Sequence, residues 1–342
     1  MFNCNISRLQ PNSNNYIMLH SADIKLTENH IDFWLESLLN TTISFSILVR
    51  DIKNFKKLTQ KYPSLQILYA KSPIDVESVI TAQPSLKAIL YTSNLARNIH
   101  LLRFNHLKHI FIGTKNSEWL SQFNKSYRAY DEIWCGGEFV INRMKKEIGN
   151  IGHLEFKTIG KPQLLPIVLN KKEEEKHLFI LMKKYSYFLE KIYFATQNID
   201  MEYYLSIHEE KKLKNFFINT FKVKNKTHKL HIIQQNILLK EFIHKASLII
   251  TDKKSLSPYS LQYQVPIILM IEKEEEKYFI EPKELRESCY FVTTHNELKK
   301  QIIQLETIDN LKEIRDYTLN YFFHQNATLK QQFKKELQEI CK

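Results

Sequence analysis

Apolar runs that resemble β-strands recur along this chain, and amphipathic stretches with helical spacing lie between them. In the first half the strand-like runs are NYIMLHS, ISFSILVRD, LQILYA, LKAILYT, LKHIFIG, DEIWCGG and FKTIG. The early runs are separated by TENHIDFWLESLLN, which Thr27 is expected to cap, and by IKNFKKLTQKY and PIDVESVITAQ. Strands and helices that alternate at this spacing predict a largely parallel sheet with helices on both faces.

The alternation stops at GKPQLLPIVLNKKEEEK, where two prolines and a run of charges are typical of a linker between domains. It then restarts with HLFILMKK, MEYYLSIHEE, KLHIIQQ, SLIITDKK, VPIILMIE and CYFVTT, separated by the helical stretches KKLKNFFINTF, NILLKEFIHKA and SLSPYSLQYQ. Three further helical stretches finish the chain. We therefore expect an α/β protein of GT-B-like architecture with a helical C-terminus. Its two Rossmann-like domains, 1–165 and 166–342, would face each other across a cleft, with their boundary between Lys161 and Lys176.

The glycines of this chain are few and concentrated in one stretch. All six lie between Leu107 and Leu164, at positions 113, 136, 137, 149, 152 and 160. Glycine is required where the backbone takes a positive φ or where a ligand approaches closely. Between two of the predicted strands lies the aperiodic, polar and aromatic segment NSEWLSQFNKSYRAYDE, and long irregular segments inside compact domains are usually functional. The stretch predicts a ligand site, although ordinary turn geometry accounts equally well for any single glycine.

Composition restricts the class of protein. The chain has 342 residues, 43% of them hydrophobic, and four cysteines that form no C-x-x-C pair. That spacing argues against a disulfide framework or a zinc site and is typical of a reducing cytosol. The N-terminus lacks the pattern of a signal peptide, and no apolar run approaches the roughly 20 residues of a spanning helix. We expect a cytoplasmic protein that is soluble or peripheral to a membrane.

The net charge of +12 predicts an acidic partner. The most basic segment, residues 211–230, holds seven lysines, three phenylalanines and no acidic residue. We expect this segment, together with Lys330, Lys334 and Lys335, to bind an anionic membrane surface. The membrane-binding residues of the segment are Lys211, Lys212, Lys214, Phe217, Lys222 and Lys224. A solvated helix face is the alternative, and nucleic acid is disfavoured because arginine is scarce and no binding module is present.

Several motifs resemble one known family. They are an Asn-rich loop (TSNLARN), a strand that ends in Gly113, the FNKSYRAYDEIW segment, and the sequence IGKPQ. In this order they resemble the CDP-glycerol glycerophosphotransferases, which make teichoic acids and related capsule polymers. The resemblance covers residues 15–165 and, more faintly, 175–270. It implies a GT-B fold and transfer of glycerol phosphate from CDP-glycerol to a polymer hydroxyl, with release of CMP.

The resemblance also implies site residues, with departures from the family pattern. Thr114 stands where the family has the histidine that resembles its base, and a threonine hydroxyl is not a base near neutral pH. Glu118 and His208 are the candidate replacement bases. The implied substrate- and donor-binding residues are Thr114, Asn116, Ser117, Asn124, Lys125, Asp252, Lys254 and Ser255. The family's Pro-Thr-Trp motif is missing, and Pro258 and Tyr259 stand in place of its second Ser-Asp pair.

Three functions stay open at this level. The first is an active transferase of a phosphopolyol from a CDP-linked donor to a cell-surface polymer or glycan. It would use no metal or other cofactor and would work at the inner face of the cytoplasmic membrane. The second is an inactive family member that binds a protein partner or acts as a scaffold. The third is an ordinary GT-B glycosyltransferase. P-loop, dinucleotide-binding, metalloprotease and serine-hydrolase motifs are all lacking, and a catalytic role for His100, His106 or His109 is disfavoured.

Overall fold

The protein is described by a computed structural model. It covers residues 14–114, 122–163, 177–182, 186–196, 199, 202–207, 230–232, 246–253, 255–272, 282–324 and 329–342. The chain divides into two compact units. Unit 1 comprises Met1–Leu165 and Tyr321–Lys342, and unit 2 comprises Pro166–Asn320.

Unit 1 is built on a seven-stranded sheet in which every neighbouring pair is parallel. The strand order is β3-β2-β1-β4-β5-β6-β7. Because the chain moves from β1 to β3 on one side and then returns to place β4 on the other, the switch in direction falls between β1 and β4. The strands are β1 (Ile17–Ser21), β2 (Phe45–Val49), β3 (Ile67–Tyr69), β4 (Ala88–Tyr91), β5 (Lys108–Phe111), β6 (Glu132–Cys135) and β7 (Glu155–Thr158).

Helices connect these strands, as the sequence predicts for a parallel sheet. They are α1 (Thr27–Leu39), α2 (Ile52–Lys61), α3 (Pro73–Thr81), the short α4 (Ile99–Leu102) and the helix Glu138–Ile148. Asp51 is the N-cap of α2, and its carboxylate accepts hydrogen bonds from two backbone N–H groups. Helix α3 begins with a capping box formed by Ser72 and Asp75.

The predicted cap of α1 is wrong. Thr27 is the first helical residue, and the N-cap position is Leu26, which has no capping side chain. The Asp23 carboxylate instead accepts from the N–H groups of Lys25 and Leu26 at 2.8 and 2.7 Å. Asp23 therefore fixes the turn that leads into α1, and no side chain caps the helix itself.

Unit 2 contains a second, six-stranded parallel sheet with the order β10-β9-β8-β11-β12-β13. Its direction changes between β8 and β11. The strands are β8 (His177–Met182), β9 (Glu202–Ile207), β10 (Leu230–Ile232), β11 (Leu248–Asp252), β12 (Ile267–Met270) and β13 (Tyr290–Val292). The described helices are Ser186–Thr196, Lys283–Glu287, His295–Leu305 and Lys312–Phe323, and the last three residues of Lys312–Phe323 belong to unit 1.

The C-terminal helix, Leu329–Cys341, packs on the sheet of unit 1. The Phe333 ring is fully buried, stacks on Trp34 at 5.6 Å and meets the Trp134 ring edge-on at 6.0 Å. On the same helix Glu336 accepts a 2.7 Å hydrogen bond from Lys157 of β7. The last helix therefore completes the hydrophobic core of the first sheet.

Predicted and observed elements agree over most of the described chain. Each predicted strand is present, although most are shorter than the apolar run that predicts them. SLSPYSLQYQ forms a short 3-10 helix, Pro258–Tyr263, and the predicted helices KKLKNFFINTF and NILLKEFIHKA lie outside the described residues. The predicted second domain, 166–342, differs from unit 2 because residues 321–342 group with unit 1. Core contacts of the C-terminal helix such as those of Phe333 account for this difference.

Candidate functional site

The carboxyl ends of β1 and β4 form an open depression in unit 1. Its volume is about 530 Å³, and its walls are the loops Ala22–Leu26 after β1 and Leu95–Arg97 after β4. These loops leave the sheet at the point where the strand order changes direction. In open parallel sheets a crevice at this position is where ligands bind.

Arg50 organises the carboxyl edge beside this depression. Its side chain is buried, and its guanidinium donates to the carbonyls of Ala70 at 2.6 Å, Lys71 at 3.1 Å and Arg97 at 3.4 Å. It also donates to Nδ1 of His100 at 2.9 Å. One side chain at the end of β2 thus holds together the loops that follow β3 and β4.

Two histidines of unit 1, His100 and His109, use one or both of their ring nitrogens in hydrogen bonds. Because a guanidinium only donates, His100 Nδ1 accepts from Arg50, and its Nε2 must carry the proton of the neutral ring. Partial burial and the nearby positive charge of Arg50 lower the pKa of His100. His109 is buried, with Nδ1 at 2.9 Å from the Tyr91 hydroxyl and Nε2 donating to the Phe104 carbonyl at 3.2 Å. In this arrangement neither ring offers an unused lone pair to a substrate.

A chain of polar side chains links the loop after β4 to the segment before β6. Asn98 donates to the Tyr130 hydroxyl at 2.9 Å, and that hydroxyl donates to Asn94 at 3.1 Å. Asn94 in turn donates to Ser126 Oγ at 2.7 Å. The Asn-rich loop and the FNK segment, both singled out in the sequence, are therefore brought together at one edge of the sheet.

The predicted binding residues Asn124 and Lys125 lie at the start of the 3-10 helix Lys125–Ala129. Both are exposed, and the Asn124 side chain accepts from the backbone N–H of Ser126 at 2.9 Å. Asn124 therefore acts as a helix cap in this structure. Lys125 is an exposed cation with no ion pair among the described residues.

Thr114 follows a glycine turn that is fixed by α1. Gly113 has φ +61°, and its carbonyl accepts a 2.7 Å hydrogen bond from the indole N–H of Trp34. The Lys161 ammonium lies 5.4 Å from the centre of the Trp34 ring, next to Gly160 with φ +65°. Gly113 and Lys161, the residue after Gly160, thus both contact Trp34, and Thr114 next to Gly113 is half-buried.

In unit 2 the predicted donor-side residues Asp252 and Ser255 form a turn at the carboxyl end of β11. The Asp252 side chain is buried, and its carboxylate accepts a 2.7 Å hydrogen bond from the Ser255 N–H. Its carbonyl also accepts from the N–H of Leu256 at 3.0 Å. The Ser255 Oγ is buried and has no hydrogen-bond partner within the described part of the chain. Asp252 therefore fixes the shape of the turn, and the Ser255 hydroxyl is a polar group of this turn that could bind a ligand.

A second cavity, of about 350 Å³, opens beside the last turn of α1 in unit 1. It is lined by the end of α1 (Glu36, Ser37, Asn40, Thr41), by Pro162 and Gln163, and by Gln331, Phe333 and Lys334 of the C-terminal helix. Because this cavity is not lined by the loops at the switch point, we assign one candidate site in each unit: the β1–β4 depression in unit 1 and the β11 turn in unit 2.

Several predicted site residues fall outside the described residues. They are Glu118, His208, Asn116, Ser117, Lys254 and the membrane-binding residues between Lys211 and Lys224. Lys334 is half-buried and Lys335 exposed on the C-terminal helix, while the side chain of Lys330 is outside the described part. Over the described ranges, no three or more His, Cys, Asp or Glu side chains form a group suited to a metal ion, and no helix is long and apolar enough to cross a membrane.

Solved structures share the fold of this chain at low sequence identity. The wall teichoic acid polymerase TagF aligns with a TM-score of 0.60 and 10% identity, covering 97% of this chain and 90% of that one. MurG of Acinetobacter baumannii gives 0.59 and 10%, covering 95% and 99%. MnaA of S. aureus, solved with UDP, gives 0.55 and 11%, covering 93% and 94%. No family model and no curated protein matches the sequence.

These likenesses extend over nearly the whole chain, so the predicted α/β GT-B fold with a helical C-terminus is confirmed. Identities near 10% show the fold alone. The sequence did not single out Arg50 or the loop 22–26, whereas the loop 95–97 lies within the Asn-rich segment TSNLARN. The signal for them was their position directly after predicted strands, but only the strand order identifies which loops flank the switch point.

Proposed function

We propose that this chain is a GT-B transferase whose unit 2 binds a nucleotide-linked donor, with the donor phosphates at the Asp252–Ser255 turn. CDP-glycerol is the donor we favour, and a hydroxyl group of a cell-surface polymer or glycan is the acceptor. The observation that carries this proposal is the buried Ser255 hydroxyl. It lacks a hydrogen-bond partner among the described residues and lies at the switch point of the second sheet.

A buried hydroxyl without a partner costs about 1–3 kcal/mol, and a ligand oxygen that accepts its proton removes that cost. A phosphate oxygen is a strong acceptor for such a donor. Two of the similar structures support a nucleotide ligand, since MnaA was solved with UDP and TagF was also solved after a soak with CDPG. The name of TagF as a wall teichoic acid polymerase supports a polymer acceptor.

Glycerophosphate transfer and glycosyl transfer break different bonds. In the first, the acceptor oxygen attacks the distal phosphorus of CDP-glycerol, the bond from that phosphorus to the bridging oxygen breaks, and CMP leaves with the bridging oxygen. The acceptor proton goes to a general base, for which Glu118 and His208 remain our candidates. In glycosyl transfer the sugar C1–O bond breaks, and the intact nucleoside diphosphate leaves.

A second candidate function is donor binding without turnover by a protein that serves as a scaffold. Thr114 favours it, because this residue directly follows the Gly113 turn and its hydroxyl is no base near neutral pH. We expect weak or no glycerophosphate transfer by this chain alone. Thr114→His is not expected to restore it, because the second Ser-Asp pair of the family is also replaced.

Donor binding can be tested by thermal unfolding with CDP-glycerol, and with UDP-N-acetylglucosamine in a parallel series. A ligand at 100 times its Kd adds about 2.7 kcal/mol to the free energy of unfolding and raises Tm. Ser255→Ala removes one hydrogen bond to a charged group and is expected to raise Kd roughly tenfold to a hundredfold. Ser257→Ala is the matched control, since its hydroxyl caps the adjacent 3-10 helix; we expect it to leave Kd unchanged.

Turnover is measured separately, as CMP release from CDP-glycerol with a glycerophosphate primer. A Tm shift that depends on Ser255, accompanied by CMP, supports the transferase. The same shift without CMP supports the scaffold. Release of an intact nucleoside diphosphate from the sugar nucleotide points to a glycosyltransferase. The proposed donor site is wrong if no CDP- or UDP-linked compound raises the Tm of the unmodified protein. It is also wrong if the compound raises the Tm of Ser255→Ala by as much as it raises that of the unmodified protein.

The proposal also keeps a peripheral location at the inner face of the cytoplasmic membrane. Its basis in the sequence, the basic segment 211–230, lies almost entirely outside the described residues. Among the described residues, exposed side chains of unit 1 support membrane binding.

A further inference from the structure

Exposed apolar side chains cluster at the carboxyl edge of the first sheet. Four successive strands in space, β3, β2, β1 and β4, are each followed by a loop or first helical turn that carries one or two of them. Ile74 is 75% exposed and Ile99 61% exposed, well above what burial in a core would allow. We call this surface the edge face; its apolar members are Ile24, Leu26, Ile52, Ile74, Leu95 and Ile99.

Hydrogen bonds make the edge face one continuous surface. The Asn54 side chain at the start of α2 donates to the Ile24 carbonyl at 2.8 Å. The buried Arg50 joins the loops after β3 and β4 through the carbonyls of Lys71 and Arg97. Arg103 at the end of α4 donates to the Pro73 carbonyl at 3.2 Å, next to Ile74. The apolar side chains are therefore held on a fixed scaffold.

Basic side chains alternate with the apolar ones in each loop. Lys25 lies between Ile24 and Leu26, Lys53 follows Ile52, Lys71 precedes Ile74, and Arg97 lies between Leu95 and Ile99. These four cations are exposed. None of them makes an ion pair within the part of the chain that the structure describes.

The acidic side chains of the same loops are turned toward backbone groups or a cation. Asp23, Asp51 and Asp75 each accept hydrogen bonds from two backbone N–H groups of their own loops. Glu77 forms an ion pair with Arg103 at 3.0 Å. The edge face thus presents apolar groups and unpaired positive charge outward.

We propose that the edge face docks on the surface of an anionic lipid bilayer. Apolar side chains that enter the headgroup region and cations that meet anionic lipid are the two contributions that hold a peripheral protein on a membrane. Apolar and basic side chains alternate along four adjacent loops, and this pattern fits an anionic lipid surface better than an uncharged apolar partner. The edge face is distinct from the basic segment 211–230. Its loops 22–26 and 95–97 also line the β1–β4 depression, so docking would place that candidate site next to the lipid surface.

Vesicle co-sedimentation of the full-length chain tests this assignment without any nucleotide. The vesicles are phosphatidylcholine alone and phosphatidylcholine mixed with phosphatidylglycerol. We expect binding to the mixed vesicles that weakens as salt is raised. Lys53→Gln with Lys71→Gln is expected to lower the partition coefficient roughly thirtyfold, from the contribution of each basic side chain near an anionic surface. Ile74→Ser with Ile99→Ser removes the apolar contribution and is expected to weaken binding at every salt concentration.

Leu39→Ser with Lys145→Gln is the matched control. Leu39 is 52% exposed at the far end of α1, and Lys145 is an exposed cation of the helix Glu138–Ile148. This pair is expected to bind mixed vesicles as the unmodified chain does. A fourth variant, Lys211→Gln with Lys212→Gln and Lys214→Gln, tests the basic segment, and circular dichroism checks that each variant is folded.

Loss of binding in the two edge-face variants, with the control unaffected, supports the proposal. Three results overturn it: no binding of the unmodified chain to mixed vesicles, full binding by the edge-face variants, or loss confined to the 211–214 variant. Light scattering without vesicles tests whether a second copy of the chain binds the edge face instead. An unmodified dimer that the edge-face variants convert to a monomer assigns the surface to a second copy of the chain, which also overturns it.

Discussion

His20 is a buried, neutral histidine at the carboxyl end of β1. Its Nδ1–H donates to the Leu48 carbonyl at 3.1 Å, and its ring meets Tyr91 edge-on. Burial, and after it the positive charge of Arg50, lowers the pKa of His20 from 6.5 to about 3. As the pH falls through about 6.5, His20 gains a proton in the unfolded chain but stays neutral in the folded protein. The stability that neutral His20 contributes is therefore present above that pH and is lost as the pH falls toward 3.

We expect His20→Asn, which keeps a donor for Leu48, to flatten this dependence. The slope of the unfolding free energy with pH, up to about 1.4 kcal/mol per unit for one group, should decrease between roughly pH 6 and pH 4. Urea unfolding at several pH values measures it. His106→Asn is the control, because His106 is exposed. An unchanged slope in His20→Asn would show that the histidine is protonated in the folded protein.

At the scale of elements, Gly137 allows the helix Glu138–Ile148 to start against Tyr321 and Phe322, which belong to the same unit. A Cβ at position 137 would lie 2.7 and 2.8 Å from the carbonyl carbon and oxygen of Phe322, and would also press on the Tyr321 carbonyl. Backbone atoms cannot move aside cheaply, so Gly137→Ala is expected to cost roughly 1–3 kcal/mol. The Phe139–Phe322 contact, at 4.2 Å between ring centres, would be strained with it. The midpoint of urea unfolding measures the loss.

Gly152→Ala provides the comparison. Nothing lies within 4 Å of a Cβ built at Gly152, and this residue is not among the glycines with positive φ. We expect a change within about 0.5 kcal/mol, as for a surface substitution. Equal losses in both variants would remove close packing as the reason for Gly137. The concentration of glycines in one stretch thus has several causes, of which helix packing at Gly137 is one and the turns at Gly113 and Gly160 another.

At the scale of the whole molecule, each unit has its own hydrophobic core. The core of unit 1 includes Phe333 from the C-terminal helix, and the core of unit 2 includes Phe188. All three tryptophans lie between residues 34 and 134, in unit 1. We expect Phe333→Ala to lower the stability seen by tryptophan fluorescence by roughly 3–5 kcal/mol, because it leaves a cavity beside Trp34 and Trp134.

Phe188→Ala is the matched control at this scale, a buried Phe→Ala change in the other unit. It is expected to lower the unfolding midpoint seen by far-ultraviolet circular dichroism and to leave the tryptophan transition in place. If Phe188→Ala moves the tryptophan transition as far as Phe333→Ala does, the two units unfold as one, and the division into separate cores does not describe the stability of the protein.

The sequence by itself determined the fold class, because the period of apolar residues fixes which segments become strands and helices. Each described strand overlaps one of the predicted apolar runs. The alternation of these strands with helices favours parallel sheets. It also placed Asp252 and Ser255 after a buried strand. The helix Glu138–Ile148 follows Gly137 without a capping side chain, so its start lacked the usual signal.

Tertiary structure alone decided which loops share an edge and which helix belongs to which core. Strand order depends on contacts between residues far apart in sequence, so local periodicity could not bring Arg50 to the carbonyls of Lys71 and Arg97. The same reason hides the return of the C-terminal helix to the first sheet, where Phe333 meets Trp34 across nearly the whole length of the chain. An apolar face predicts that a helix is buried, but the surface that buries it is chosen by packing.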